Sequence, residues 1–347
     1  MRTLDETYHL LKDNQYFEYF PIKSQYENKD IPREILIGKY KEEKEKMEPY
    51  MIKYDNPFMH ILHFESKHFD AFHKGDSIVI QEKIDGSNAH FHIANGSFIS
   101  YGNNYILNEH NHLCGFYHWV KDNWKKVPIK YWNLNIYGEW LTPHHCEYPA
   151  QAYGQFYVFD IMDDFGNYLK QKDVEKIAKE CGFLYAPILY HGEFTSWKDI
   201  VNYVGQTKLG GLKGEGIVVK NQTELNNLKI PFYAKIVDIE FQESNKARDK
   251  VKFIDMNEIL KLEEEKLLVE SIVTLARVRK IVLKLIDNGD LPYSWTNMDI
   301  EDTLKIVRGI VYQDCLREEP EIVKKLGKAF GKYHKQYVLQ HLEFLRG

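Results

Sequence analysis

Cysteine is scarce in this chain: only Cys114, Cys146, Cys181 and Cys315, far apart and with no C-x-x-C pair. That spacing excludes a disulfide framework and a zinc knuckle, and it reads as reduced thiols in a cytoplasmic protein. Long apolar runs are missing as well. Met1-Arg2-Thr3-Leu4-Asp5 opens a polar stretch without the core of a signal peptide, and no segment approaches membrane-spanning length. Nor is there an excess of positive charge. The net charge of −5 excludes a protein that coats nucleic acid indiscriminately, so any such contact must be local. The balance is uneven, with 19 Lys and Arg against 17 Asp and Glu from Ser244 to the end. The C-terminal part is therefore the better placed to meet phosphate. No internal repeat or low-complexity tract occurs.

What is present is an ordinary globular mixture, 44% hydrophobic and 28% charged over 347 residues, enough for two domains and a sizeable core. Tyrosine (24) and phenylalanine (19) are plentiful; such rings can stack on bases, but most pack a core. Of the 15 histidines, His110, His112, His118, His144 and His145 cluster in sequence, yet no Cys or carboxylate stands at zinc spacing with them.

Residues 1–57 form a polar N-terminal extension without a clean period and without an assigned role. Its run Lys39 to Lys46 reads as a solvated helix. From 58 to 243 the texture is of short apolar strands between turns. Ser77–Lys83 ends at an Asp85-Gly86 turn, and Ala89–Ile93 turns at Asn95-Gly96. Further strands are Asn135–Trp140, Phe156–Ile161, Gly216–Lys220 and Phe232–Val237. One helix, about Lys172 to Cys181, closes at Gly182. A charged linker spans 244–265, and 266–347 is helical. There Leu268, Ile272, Leu275, Val278, Val282 and Leu285 predict one helix stopped by Asn288-Gly289. Leu304, Val307 and Val311 mark a second. Pro320 begins a third, carrying Val323, Leu326, Phe330, Tyr333 and Tyr337. The fold class is α+β with a mostly antiparallel sheet, followed by an all-helical C-terminal domain.

The chemistry centres on Lys83-Ile84-Asp85-Gly86-Ser87-Asn88. A lysine at a strand end before a turn is held rigidly, and to attack phosphorus its amine must lose a proton near neutral pH. Alone, Lys-x-Asp-Gly is a common hairpin sequence. However, Glu139, Phe159, Glu215, Lys220 and Lys235 also lie in or beside apolar strands, where an unpaired charge is costly. Together they would line one polar cleft with a nucleophile, a phosphate clamp, carboxylates for ribose or hydrated Mg²⁺, and a ring for a base.

The ordered set Lys83-x-Asp85-Gly86-x-Asn88, Gly138-Glu139, Phe156-Tyr157-Val158-Phe159-Asp160, Glu215-Gly216-x-Val218-x-Lys220 and Lys235 resembles the motif series of covalent nucleotidyltransferases. Within that superfamily the chain is most similar to the phage RNA ligase 2 family. Phe241-x-Glu243, the lead-in His63-Phe64-Glu65-Ser66 and the helical stretch Val273–Val278 fit as well, and the resemblance covers about 58 to 320. It implies an antiparallel, ATP-grasp-like ligase core that acts on RNA ends or nicked duplex RNA as a monomer, joining 3′-OH and 5′-phosphate through lysyl-AMP and adenylated RNA. It further implies that Lys83 carries AMP, with Ile84 beside it in the nucleotide site, and that Phe159 stacks on adenine. Glu139 would hold the ribose or a metal-bound water, and Glu215 would coordinate hydrated Mg²⁺, with Mn²⁺ as a substitute. Lys220 and Lys235 would offset charge on the α-phosphate, Asp85 and Asn88 would shape the site, and Glu82 would lie by the adenine.

Two positions depart from that pattern. Where the family has a basic residue after the first hairpin, this chain aligns Asn103, and no Lys or Arg occurs from Ile84 to Val120. Where the last motif has a second lysine, it has Val237. Both losses remove positive charge near phosphate. The competing readings are a capping guanylyltransferase or DNA ligase on the same core, which would need an OB-fold after Lys235, and a non-catalytic RNA-end binding protein.

Overall fold

The computed structural model describes residues 2–27, 45–55, 57–59, 61, 71–225, 231–241 and 256–347. The chain divides into two compact units, Met1–Phe253 and Ile254–Gly347. Most of the Lys39–Lys46 run, the segment His63–Ser66 and Glu243 lie outside the described residues.

The first unit is α+β. Its strands are β1 (Ile52–Lys53), β2 (Ser77–Lys83), β3 (Ser87–Ala94), β4 (Ser97–Tyr101), β5 (Tyr105–Ile106), β6 (Asn135–Trp140), β7 (Phe156–Met162), β8 (Leu184–Tyr185), β9 (Ile188–Glu193), β10 (Gly216–Leu225) and β11 (Pro231–Val237). They form a seven-stranded sheet in the order β1-β5-β4-β3-β6-β7-β8 and a four-stranded sheet in the order β11-β10-β2-β9. Every pairing is antiparallel except β7 with β8. β2 lies between β10 and β9 and is buried from Ile78 to Glu82, which explains its continuous apolar run. β3 and β4 meet at Asn95-Gly96, whose φ angles of 52° and 73° are those of a two-residue hairpin turn.

Helices α1 (Leu4–Leu11), α2 (Pro21–Glu27), α3 (Phe116–Asn123), α4 (Gln171–Glu180) and the short α5 (Trp197–Ile200) complete this unit. α4 ends at Cys181, with Gly182 at φ 69°, where the sequence places its stop. α1 was not visible in the hydrophobic period. Thr3 Oγ1 accepts the Glu6 N–H and the Glu6 carboxylate accepts the Thr3 N–H, a complete capping box. Leu11, Phe17 and Phe20 then enter the same core as Phe91, Phe116, Trp140 and Phe156.

Among the described residues of the second unit every regular element is helical: α6 (Met256–Ile272), α7 (Leu275–Asp287), α8 (Ile300–Glu318), α9 (Pro320–Leu326) and α10 (Lys328–Arg346). Two expected helices are each two. The stripe Leu268–Leu285 breaks at Val273-Thr274, because Thr274 caps a new helix by accepting the Arg277 N–H at 3.2 Å. The stripe from Pro320 breaks at Gly327, whose φ of 52° and ψ of −120° leave helical space. Apart from the half-buried Leu268 and Leu275, the stripe residues stay buried across both breaks, in a core that includes Val278, Val307, Phe330 and Tyr337.

Candidate active site

A cleft of about 700 Å³ opens in the first unit. β2 supplies Gln81, Glu82 and Lys83, followed by Ile84 and Gly86; β3 supplies Ser87 and Asn88, β6 Glu139, β7 Phe159, β10 Val218 and Lys220, and β11 Lys235. Tyr54, Phe58 and Met59 line it from the N-terminal side, and Asn103 and Asn104 from the turn between β4 and β5.

Strand register puts these groups together. Asn88 pairs directly with Glu139, and Gln81, Val218 and Lys235 form one row across β2, β10 and β11. Lys83 stands opposite Gly216, which stands opposite Val237. A Cβ on Gly216 would sit 2.2 Å from the Ile236 carbonyl oxygen, so only glycine lets the strands close there. At the hairpin corner, a Cβ on Gly86 would meet the Trp140 carbonyl at 2.7 Å and Glu139 Cγ at 3.0 Å. The Asp-Gly turn is thus pressed against the carboxylate it serves.

Lys83 Nζ donates to Glu215 Oε2 at 2.5 Å. Burial pushes the Lys83 amine down, but Glu215, Glu139 and Asp85 outweigh it and hold it above the ordinary lysine value. Burial raises Glu139 to about 8, with Lys83 opposing the shift and Glu215 and Asp85 adding to it. Glu215 is likewise raised by burial, against the pull of Lys83. Lys235 is lowered, first by burial and then by the charge of Lys83. The site therefore holds two cations and two desolvated carboxyls.

Other residues named from the sequence are committed to partners. Asp85 Oδ2 accepts the backbone N–H groups of His145 and Cys146, both at 2.7 Å, and its own N–H donates to Tyr148 Oη at 3.0 Å. It thereby pins the segment 144–148 beside Lys83. Glu82 accepts the Thr207 hydroxyl at 2.6 Å and the Lys208 and Leu209 N–H groups at 2.7 and 3.3 Å. Lys220, 1% exposed, donates to the Phe159 carbonyl at 2.7 Å and to Asp160 Oδ2 at 2.9 Å. Burial lowers its pKa while Asp160 opposes. Phe159 leaves its ring at the cleft, with the Phe58 ring edge-on at 5.5 Å.

Fit to a nucleotide and metal can be tested on the side chains alone. Asn88 Oδ1 is buried without a hydrogen-bond partner at the cleft wall, and such an acceptor calls for a ligand donor. Among the described residues no group of three or more His, Cys, Asp or Glu side chains is set to hold a metal. A hydrated Mg²⁺ needs only one or two protein carboxylates, with phosphate and water as its other ligands. Glu139 and Glu215, whose charges both act on Lys83, fit that requirement. The histidines do not gather into a site: His112 and His118 pack on Tyr19, and His144 Nδ1 lies 3.7 Å from Asp85. Sequence reasoning missed Gln81 and the Tyr54–Met59 wall. Strand alternation places Gln81 on the face of Lys83; nothing local marks the wall.

A strand-end lysine, two buried carboxyls, a ring and a second lysine thus share one cleft. Residues 76–237 match the family model for RNA ligase. Similar solved structures are those of Naegleria gruberi RNA ligase. The form with PPi is 20% identical at a TM-score of 0.43, and a mutant with ATP and Mn is 22% identical at 0.44. Each alignment covers 56% of this chain and 60% of that one, so this chain spans well under two thirds of those proteins. None of the curated proteins matches. No helix among the described residues is long and apolar enough to cross a membrane.

Proposed function

We propose that the protein is an ATP-dependent RNA ligase of the RNA ligase 2 type, joining 3′-OH and 5′-phosphate ends in three transfers. Lys83 Nζ attacks the α-phosphorus of ATP, and the P–O bond to pyrophosphate breaks as the P–N bond forms. The RNA 5′-phosphate oxygen then takes AMP from Lys83. Finally the 3′-OH attacks the phosphorus of the RNA 5′-phosphate, and AMP leaves as the phosphodiester forms. The observation that carries this reading is the Lys83 amine, fixed 2.5 Å from Glu215 in the cleft that also holds Glu139, Phe159 and Lys235.

The protonation states set the first step. Lys83 must shed a proton before attack, and Glu215 Oε2 is the acceptor already in contact with Nζ. Burial favours both the neutral amine and the neutral acid. The obstacle is the summed negative charge of Glu139, Glu215 and Asp85, which keeps the ammonium form. A hydrated Mg²⁺ on Glu139 and Glu215 would offset that charge and the charge developing on phosphate. Lys235 lies near Lys83 and Glu215 and would face the α-phosphate. Phe159 would stack on the adenine, and Asn88 would accept from the nucleotide. The four free cysteines suit a cytoplasmic setting.

A barrel-bearing relative, a capping enzyme or DNA ligase, is disfavoured by the helices of the second unit. The test of the whole reading is incubation with α-labelled ATP and Mg²⁺, followed by a denaturing gel. The parent should carry an acid-labile label and Lys83→Ala none, with its melting unchanged. Full labelling of Lys83→Ala would sink the assignment. An unlabelled parent would favour the non-catalytic RNA-end binding reading.

A further inference from the structure

The N-terminal arm, residues 2–27, precedes the span that matches the family model, and none of its described residues lines the cleft. It is nonetheless built into the first unit. Leu11, Phe17 and Phe20 are buried in the core around the cleft. The Tyr16 ring meets Trp140, the neighbour of Glu139, edge-on at 5.4 Å. Two polar side chains of the arm reach the segment that follows β6. Arg2 donates its backbone N–H to Glu147 Oε1 at 2.5 Å and its guanidinium to the Tyr148 carbonyl at 2.9 Å. Asn14 Nδ2 donates to the Tyr153 carbonyl at 3.1 Å. The fit there is close: a Cβ on Gly154 would lie 2.8 Å from Asn14 Oδ1.

The same segment meets both reacting groups. Asp85, two residues beyond Lys83, is held by the His145 and Cys146 N–H groups and by Tyr148 Oη. The segment also closes on the loop that runs into Glu215. A Cβ on Gly211 would sit 2.1 Å from the Glu147 carbonyl oxygen, and one on Gly210 would sit 2.9 Å from Pro149 Cγ. Lys83 and its partner Glu215 are thus both reached through residues 145–149. Between β6 and β7 the segment has one short 3-10 turn, Ala150–Ala152, and no strand or longer helix to fix it. Tyr148 is the joint. Its carbonyl takes the Arg2 guanidinium, its N–H donates to Tyr153 Oη at 3.0 Å, and its own Oη receives the Asp85 N–H. It is 0% exposed, and a close-packed interior passes a backbone shift on to the side chain.

We infer that the N-terminal arm is a brace for nucleotide transfer, acting from Arg2 and Asn14 through Tyr148 on the placement of Lys83 and Glu215. This rests on the reading that Lys83 takes AMP from ATP. Attack on phosphorus tolerates little error, and a misplacement of about 1 Å can cost about 100-fold in rate. Arg2 and Asn14 are positioning residues and touch no reacting atom. Because the arm lines no part of the cleft, its loss falls on the rate and spares nucleotide affinity.

The experiment uses the full chain and measures label transfer from ATP to protein against nucleotide concentration. Arg2→Ala removes a partly exposed guanidinium and leaves the core intact. Asn14→Asp keeps the acceptor that takes the Tyr16 N–H at 2.9 Å but loses the donor to Tyr153. Each should lower the saturating rate about tenfold, with KM within about twofold of the parent's. Arg2→Lys, which can still donate to the Tyr148 carbonyl, should recover most of the rate. Tyr148→Phe cuts the same path at its far end. Combined with Arg2→Ala, it should therefore cost no more than the larger single loss. Losses that multiply would reveal two independent effects and overturn the brace. Saturating rates within about twofold of the parent's in Arg2→Ala and Asn14→Asp would do the same, as would a loss that follows a lowered melting temperature and raises KM. Should Tyr148→Phe melt early, the Arg2 and Asn14 variants decide alone. A parent that takes no label from ATP overturns the transfer reading itself, whereas a labelled parent with indifferent variants overturns only the brace.

Discussion

Charge at single residues decides how this site would run. Glu139 titrates at about 8 in the folded chain, lifted first by burial, against about 4.3 for a free glutamate. The folded state therefore keeps a proton on Glu139 that the unfolded chain has lost. Its contribution to stability is fully present below the unfolded value and is lost as pH rises through 8. Glu139→Gln removes that titration, so its melting temperature should fall less than the parent's between pH 5 and pH 9. Equal slopes in a melting series would show that Glu139 is not desolvated as described. At Val237, one of the two departures from the family pattern, the row Lys83–Gly216–Val237 has no side chain between its ends. A cation there would depress the Lys83 amine and face the same phosphates. Such a charge-assisted contact is worth roughly 1.5–3 kcal/mol, so Val237→Lys should raise single-turnover sealing of adenylated RNA about tenfold at low Mg²⁺. No change across a Mg²⁺ series would mean that this chain is not short of positive charge at that point.

At the scale of elements, the sequence shows best where local pattern and final burial agree. β2 and β10 read as strands because β-branched runs meet partners on both sides, and Asn95-Gly96 marks its hairpin because both residues must take positive φ. Glu139, Lys220 and Lys235 stood out as charged interruptions of apolar strands, whereas Gln81 interrupts β2 in the same way and was passed over. The segment 144–148 was not, because it meets Asp85 across some 60 residues of chain, and no local pattern encodes so distant a partner. The helix breaks at Thr274 and Gly327 were missed because the apolar stripe runs through them unaltered. The N-terminal helix was hidden for the opposite reason: charged neighbours mask Leu4, Tyr8 and Leu11, and only the Thr3–Glu6 cap signalled it. Leu11 is 1% exposed in the main core. Leu11→Ala should therefore cost about 3 kcal/mol in denaturant unfolding. A loss below about 0.5 kcal/mol, the usual size for a surface site, would make α1 an appendage.

Over the whole molecule, two cores divide the labour. The first, from Leu11 to Ala186, surrounds the cleft, and the second, from Val269 to Leu342, is built from helices alone. Among the described residues, none that lines the cleft belongs to the second unit. That unit instead crowds Arg279, Lys280 and Lys284 onto one face of α7 around a shallow depression. Chemistry on ATP should then survive without it, whereas holding RNA should not. A chain ending at Phe253 keeps its own core and every group placed around Lys83. It should form the AMP adduct at a rate within about twofold of the parent, yet seal RNA at least tenfold more slowly. Because the parent has more phosphate contacts to lose to counterions, the sealing defect should narrow as salt rises from about 50 to about 200 mM. Adduct formation, which needs no RNA, should show no such narrowing. If the shortened chain seals as fast as the parent at both salt concentrations, the helical unit takes no part in gripping RNA. If it fails to form the adduct although it melts cooperatively, then residues beyond Phe253 act on the nucleotide step as well.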